Sequence, residues 1–129
     1  MDQPASDGKF HYRNKSLDFK VTLPSSFEYY QTQRKETDDY VDIEFLVPTS
    51  DLSQDIESIR GYARPLVVRA FHAEAWKTVD KKGKFKKIGE KDDRVYAVDF
   101  WEDIPEDWQE EWNEEIRGSI LESFQLQDL

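Results

Sequence analysis

Leu17, Phe19, Val21 and Leu23 alternate with Asp18, Lys20 and Thr22 until Pro24 ends the run, the two-residue period of a half-buried strand. Phe10 to Tyr12 stand just before it, across Asn14-Lys15-Ser16, so the two stretches predict a hairpin. Val41, Ile43, Phe45 and Val47 repeat the pattern against Asp42, Glu44 and Leu46 as far as Pro48. With the aromatic and polar stretch Phe27 to Gln33 and a charged turn over Arg34 to Asp39, they predict a second hairpin. The period then changes. Between Thr49 and Pro65, Leu52, Ile56 and Ile59 stand at i, i+4 and i+7, with Ser50 or Asp51 as a cap and Gly61 as a stop, which predicts a short helix. Leu66 to Phe71 is apolar except for Arg69 and reads as a central strand, and Ala73 to Val79, with Trp76, as one or two helical turns. Lys84 to Ile88 and Arg94 to Trp101 flank Gly89 to Asp93 as a third hairpin.

The last predicted element begins at Pro105, which suits a first helical turn, and carries Glu106 and Asp107 where the helix dipole favours negative charge. Trp108, Trp112, Ile116, Ile120 and Phe124 recur every fourth residue, the stripe of an amphipathic helix of about 18 residues. Such a stripe has to be covered, and the sheet offers the large apolar face to cover it. The expected fold is therefore α+β: an antiparallel sheet of about six strands with the C-terminal helix packed on one face. Residues 1–9 read as a flexible leader and residues 10–129 as a single domain, a length that buries roughly two thirds of its unfolded surface.

Two groups of quoted residues carry a family resemblance. "KSLDFKVTLPSSF" (Lys15 to Phe27) leads a short turn into an alternating strand that ends in Leu-Pro and an aromatic. "RVYAVDFWEDIPEDWQEEWNEEIRGSILESFQL" (Arg94 to Leu126) gives a strand, an acidic-proline turn and a helix closing on Ile-x-x-Ser-Phe. This order of landmarks resembles the PsbP-like fold, named for the extrinsic subunit of photosystem II. A Ran-binding nuclear transport protein and many bacterial surface lipoproteins share that fold. The resemblance implies a binding or assembly protein rather than an enzyme, and it carries over no metal ligand or partner-contacting residue.

Charge sharpens the picture. The chain has 28 acids against 18 bases, a net charge of -10, which argues against nucleic acid as a partner. The charge is unevenly spread. Glu36 to Glu57 holds eight acids and no base, and Asp103 to Leu129 holds nine acids and Arg117 alone. Lys81 to Arg94 reverses the sign. Within it Lys81, Lys82, Lys84, Lys86 and Lys87 form a candidate docking site for an anionic partner, lipid head groups or a wall polymer. The competing reading is a strand edge kept soluble by lysines. Met1 to Gly8 is small and polar and looks like the linker after an export signal or lipid anchor, so an extracytoplasmic, membrane-anchored lipoprotein is expected, with a cytoplasmic protein as the alternative.

Candidate chemistry is sparse. The chain has no cysteine, so thiolate metal sites and cysteine nucleophiles are excluded. His11 lies on the strand face opposite Phe10 and Tyr12, together with Arg13, and His72 precedes a helical turn that it would cap; neither has a partner at metal-ligand spacing. Acid pairs such as Asp38-Asp39, Asp92-Asp93 and Glu102-Asp103 follow from the abundance of acids. Asp38, Asp39 and Asp42 lack the spacing and central glycine of a calcium loop. The five glycines form no phosphate cradle. No cofactor, metal or catalytic residue is expected. Trp108 and Trp112 are expected in the core, which leaves Trp76 and Trp101 as candidate exposed aromatics for stacking on a ligand. The expected function is a non-enzymatic binding or assembly module for a protein or cell-envelope component. The alternatives are a small hydrolase or metal-dependent enzyme with a carboxylate site, and a cytoplasmic transport or assembly adaptor.

Overall fold

The computed structural model describes residues 8–51, 61–79 and 83–126. Among them the chain is α+β, with eight strands in two antiparallel sheets and two short α-helices. The first hairpin forms as expected: β1 (Phe10–Asn14) pairs with β2 (Phe19–Leu23), Phe10 opposite Leu23 and Asn14 opposite Phe19. Asn14 Oδ1 closes the turn by accepting from the Leu17 N–H and the Ser16 hydroxyl, each at 3.0 Å. Asp18 takes a φ of 55° there, a left-handed value that aspartate tolerates.

The second sheet has the order β3 (Gln31–Glu36), β4 (Tyr40–Pro48), β5 (Tyr62–His72), β7 (Arg94–Phe100), β6 (Lys86–Lys91). The expected turn over Arg34 to Asp39 is narrower than its charge suggests. Arg34, Lys35 and Glu36 belong to β3, and Thr37 alone organises the turn, its Oγ1 accepting from the Asp39 and Tyr40 N–H groups at 3.2 Å each. As an exposed sheet edge, β3 has no apolar face to bury and so shows no alternation. β5 is the central strand, but it begins before Pro65. Ala63 pairs with Val47 and Leu66 with Phe45, so Arg64 and Pro65 together oppose Leu46, and this bulge accommodates the ring that has no N–H to give. The helix expected from Leu52, Ile56 and Ile59 lies outside the described residues.

The single six-stranded sheet is corrected to two sheets. β8 (Gln125–Leu126) joins β2, making a three-stranded sheet of order β1-β2-β8. Its inward face meets the larger sheet, with ring centroids 4.9 Å apart for Tyr12 and Phe45 and 6.3 Å for Phe19 and Tyr96. Two alternating faces laid against each other bury both apolar sets. Phe10, Phe19, Val21, Leu23, Phe45, Val68, Tyr96 and Val98 all lie in that one core. The opposite face of the larger sheet carries a second cluster of Val67, Phe71, Phe85, Val95 and Ala97.

The helix expected over about 18 residues is also corrected. A 3-10 turn, Glu106–Trp108, is followed by a separate helix, α2 (Glu114–Ser123). Asn113 is extended, with φ -155° and ψ -178°, and its side chain accepts from the Ile116 N–H at 2.8 Å, so a new helix starts there. Asp107 meanwhile is drawn to the neighbouring loop, accepting from Thr49 Oγ1 at 2.8 Å and the Ser50 N–H at 3.0 Å. Trp108 and Trp112 are nonetheless buried, ringed by Phe27 and Trp101. Ile120 is the buried residue of α2, and Ser123 ties the helix to β2 by accepting from the Thr22 N–H at 2.8 Å.

Candidate functional site

The start of β6, the end of β7 and the outer side of α2 enclose a groove of about 420 Å³. Ile88, Val98, Phe100 and Leu121 line it with apolar side chains, together with Trp101. Lys84, Lys86, Lys87 and Arg117 line it with positive charge against two carboxylates, Asp99 and Glu102. Three of the five candidate docking lysines are thus brought together with one of the two candidate aromatics. Lys81 and Lys82 lie outside the described residues.

Register explains how these cations are spread. Lys86 stands opposite Val98 of the main core and Lys87 opposite Ala97 of the second cluster, so neighbouring lysines leave β6 on opposite faces. Lys87 then pairs with Ala97 and Gly89 with Tyr96, which makes Ile88 the extra residue of a bulge. Lys84 reaches Asp99 at 3.6 Å, Lys87 reaches Glu90 at 3.3 Å, and Arg117 reaches Glu114 at 3.7 Å. The Lys87 and Arg117 pairs are loose and exposed, of little net worth and available for exchange with an incoming anion, whereas Asp99 is partly buried. Lys86 has no carboxylate partner among the described residues. Burial pushes the Asp99 carboxyl above its ordinary range, and the Lys84 ammonium opposes that shift.

Neither candidate aromatic is among the exposed large side chains. Trp101 is half-buried, with ring centroids 5.5 Å from Trp112 and 5.8 Å from Trp108, so its ring is fixed by the core while its edge of the groove stays open. Trp76, in α1 (Ala73–Trp76), is half-buried on the other side of the sheet, 5.2 Å from Phe71. Among the described residues the exposed large hydrophobics are instead Tyr29 and Leu121, and Leu121 lies in the groove.

The histidines stay apart. His11 faces outward on β1 as expected, its Nδ1 3.1 Å from Thr22 Oγ1. His72 stands at the first position before α1, but its side chain makes no capping bond. On the outward face of β1 and β2, Arg13 lies directly opposite Lys20, a like-charge pairing that disfavours the hairpin. Among the described residues no group of three or more histidines or acids could hold a metal ion, and no helix is long and apolar enough to cross a membrane.

Periodicity could not reveal Phe100, Leu121 or Asp99 as groove residues, since each sits on an ordinary strand or helix pattern. Arg117 did carry a signal: it is the one base among nine acids in the tail. No family profile, curated protein or solved structure matches the chain.

Proposed function

We propose that this chain is a non-enzymatic binding or assembly module of the PsbP-like kind, its C-terminal helix covering one face of the sheet, extracytoplasmic and membrane-tethered in its native form. It takes an anionic partner, a protein or a cell-envelope component, in the groove between β6 and α2. One observation carries the reading: in a molecule of net charge -10, four cations border one groove, Lys86 and Lys87 from opposite faces of β6, around apolar side chains and a tryptophan held in place by two others. Retaining that cluster against the overall sign makes binding local and dependent on salt.

The test is titration of the protein with polyglutamate and with phosphatidylglycerol vesicles, at low and high salt. Binding to at least one of these is expected, weakened by salt and lost when Lys84, Lys86 and Lys87 are all changed to serine. Identical behaviour of wild type and the triple variant with both probes would overturn the proposal.

A second reading, a small hydrolase, is favoured by Asp99. It is a carboxyl shifted upward by burial within a groove of ligand size, the environment from which general acids are drawn.

A further inference from the structure

β6 is the outer strand of the five-stranded sheet, and among the described residues no strand lies on its far side. Its two halves differ. A side chain on Gly89 would meet Leu126 Cδ1 of β8 at 2.9 Å, so the second half of the strand is closely approached by the smaller sheet. The first half, Lys86 to Ile88, opens onto the groove instead. An open strand edge presents backbone N–H and C=O groups that another extended backbone can satisfy, and alternate side chains of that added strand then fall on the two faces.

Resting on the binding role assigned to the groove, we infer that its partner is an extended acidic peptide segment with an apolar anchor. The segment pairs its backbone with Lys86–Ile88 as a sixth strand. The distribution of charge argues for a strand over a membrane surface. Because Lys86 and Lys87 leave β6 on opposite faces, a flat anionic layer engages one of them at a time, whereas a strand added at the edge meets both. Glutamates or aspartates at successive positions are then matched alternately, by Lys86 on one face and Lys87 on the other. Ile88, Phe100 and Leu121 provide the apolar seat for one side chain of the segment on the α2 side, and Trp101 borders it. The bulge at Ile88 ends the pairing before Leu126 is reached, which limits the contact to a short stretch of the partner.

The experiment compares a blocked, fluorescent peptide that carries two successive glutamates flanked by leucines with the same peptide N-methylated at alternate residues. Methylation keeps charge and apolar content but removes backbone donors. Fluorescence anisotropy should show the plain peptide binding at least about tenfold more tightly than the methylated one, a difference of about 1.4 kcal/mol. Lys86→Ser and Lys87→Ser should each weaken it severalfold. Equal affinities for the two peptides would overturn the strand pairing while leaving the groove as an anion site. Binding of phosphatidylglycerol vesicles but of neither peptide would overturn it in favour of a membrane surface. If no anionic probe binds at all, the binding role of the groove falls as well.

Discussion

Arg69 grips Asp42 across β5 and β4 with two parallel bonds, Nε to Oδ1 at 2.7 Å and Nη2 to Oδ2 at 2.9 Å. Its guanidinium carbon stands 3.7 Å from the Tyr40 ring centre and 4.1 Å from that of Phe85. The charge that interrupts the apolar central strand is thus neutralised and stacked rather than exposed. Burial disfavours the guanidinium cation, yet the Asp42 bonds outweigh this and hold its proton more firmly than usual. Arg69→Met should strand the buried Asp42 and cost about 3 kcal/mol. The double change with Asp42→Leu should recover much of that loss, because it removes the orphaned charge. Urea unfolding of the wild type and the two variants checks this, and a double variant no more stable than Arg69→Met would show that the ring stack dominates.

Asp107 pins the 3-10 turn to the loop after β4. Burial raises its carboxyl, but the Ser50 and Thr49 donors outweigh that and hold it below the usual carboxylate range. A carboxyl depressed in the folded state contributes stability above its unfolded value near about 3.9, and loses it as pH falls through the lower folded value. Asp107→Asn should therefore flatten the acid side of the stability profile. Urea midpoints measured from neutral pH downward should converge for variant and wild type at the acid end, and parallel curves would contradict the assignment.

Asp99 decides between binding and hydrolysis. If it serves as a general acid, wild type should cleave a chromogenic phosphate or carboxylate ester and Asp99→Asn should not. Equal background rates in the two proteins would remove the hydrolase reading. Its raised folded value also has a sign: ionised Asp99 disfavours the folded state, so the contribution is full below the unfolded value and lost as pH rises through the folded one.

Much of the strand content was legible because alternation reports a face that must be buried. The first hairpin, the central position of Leu66 to Phe71 and the third hairpin were all readable in this way. The second hairpin was readable too, but with its turn too long, since the exposed edge β3 leaves no apolar trace to mark where it ends; the start of β5 was not readable, because a bulge there admits a proline that reads as a stop. For the site, the lysines were visible as a run of like charge and Trp101 as an unplaced aromatic. Their meeting was invisible, because it depends on which strand ends beside which helix.

By itself the sequence determined the α+β antiparallel class, the local hairpins, the acidic character and the sign reversal between Lys81 and Arg94, all properties of residues near one another along the chain. Tertiary structure alone decided that two sheets face each other and that the four-residue stripe from Trp108 to Phe124 breaks at Asn113. It also brought Arg117 and Leu121 round to Lys86. The physical reason is common to all three: a periodic pattern states that a face is buried, and only the competing long-range contacts, such as Asp107 with Thr49 or Tyr12 with Phe45, select what buries it.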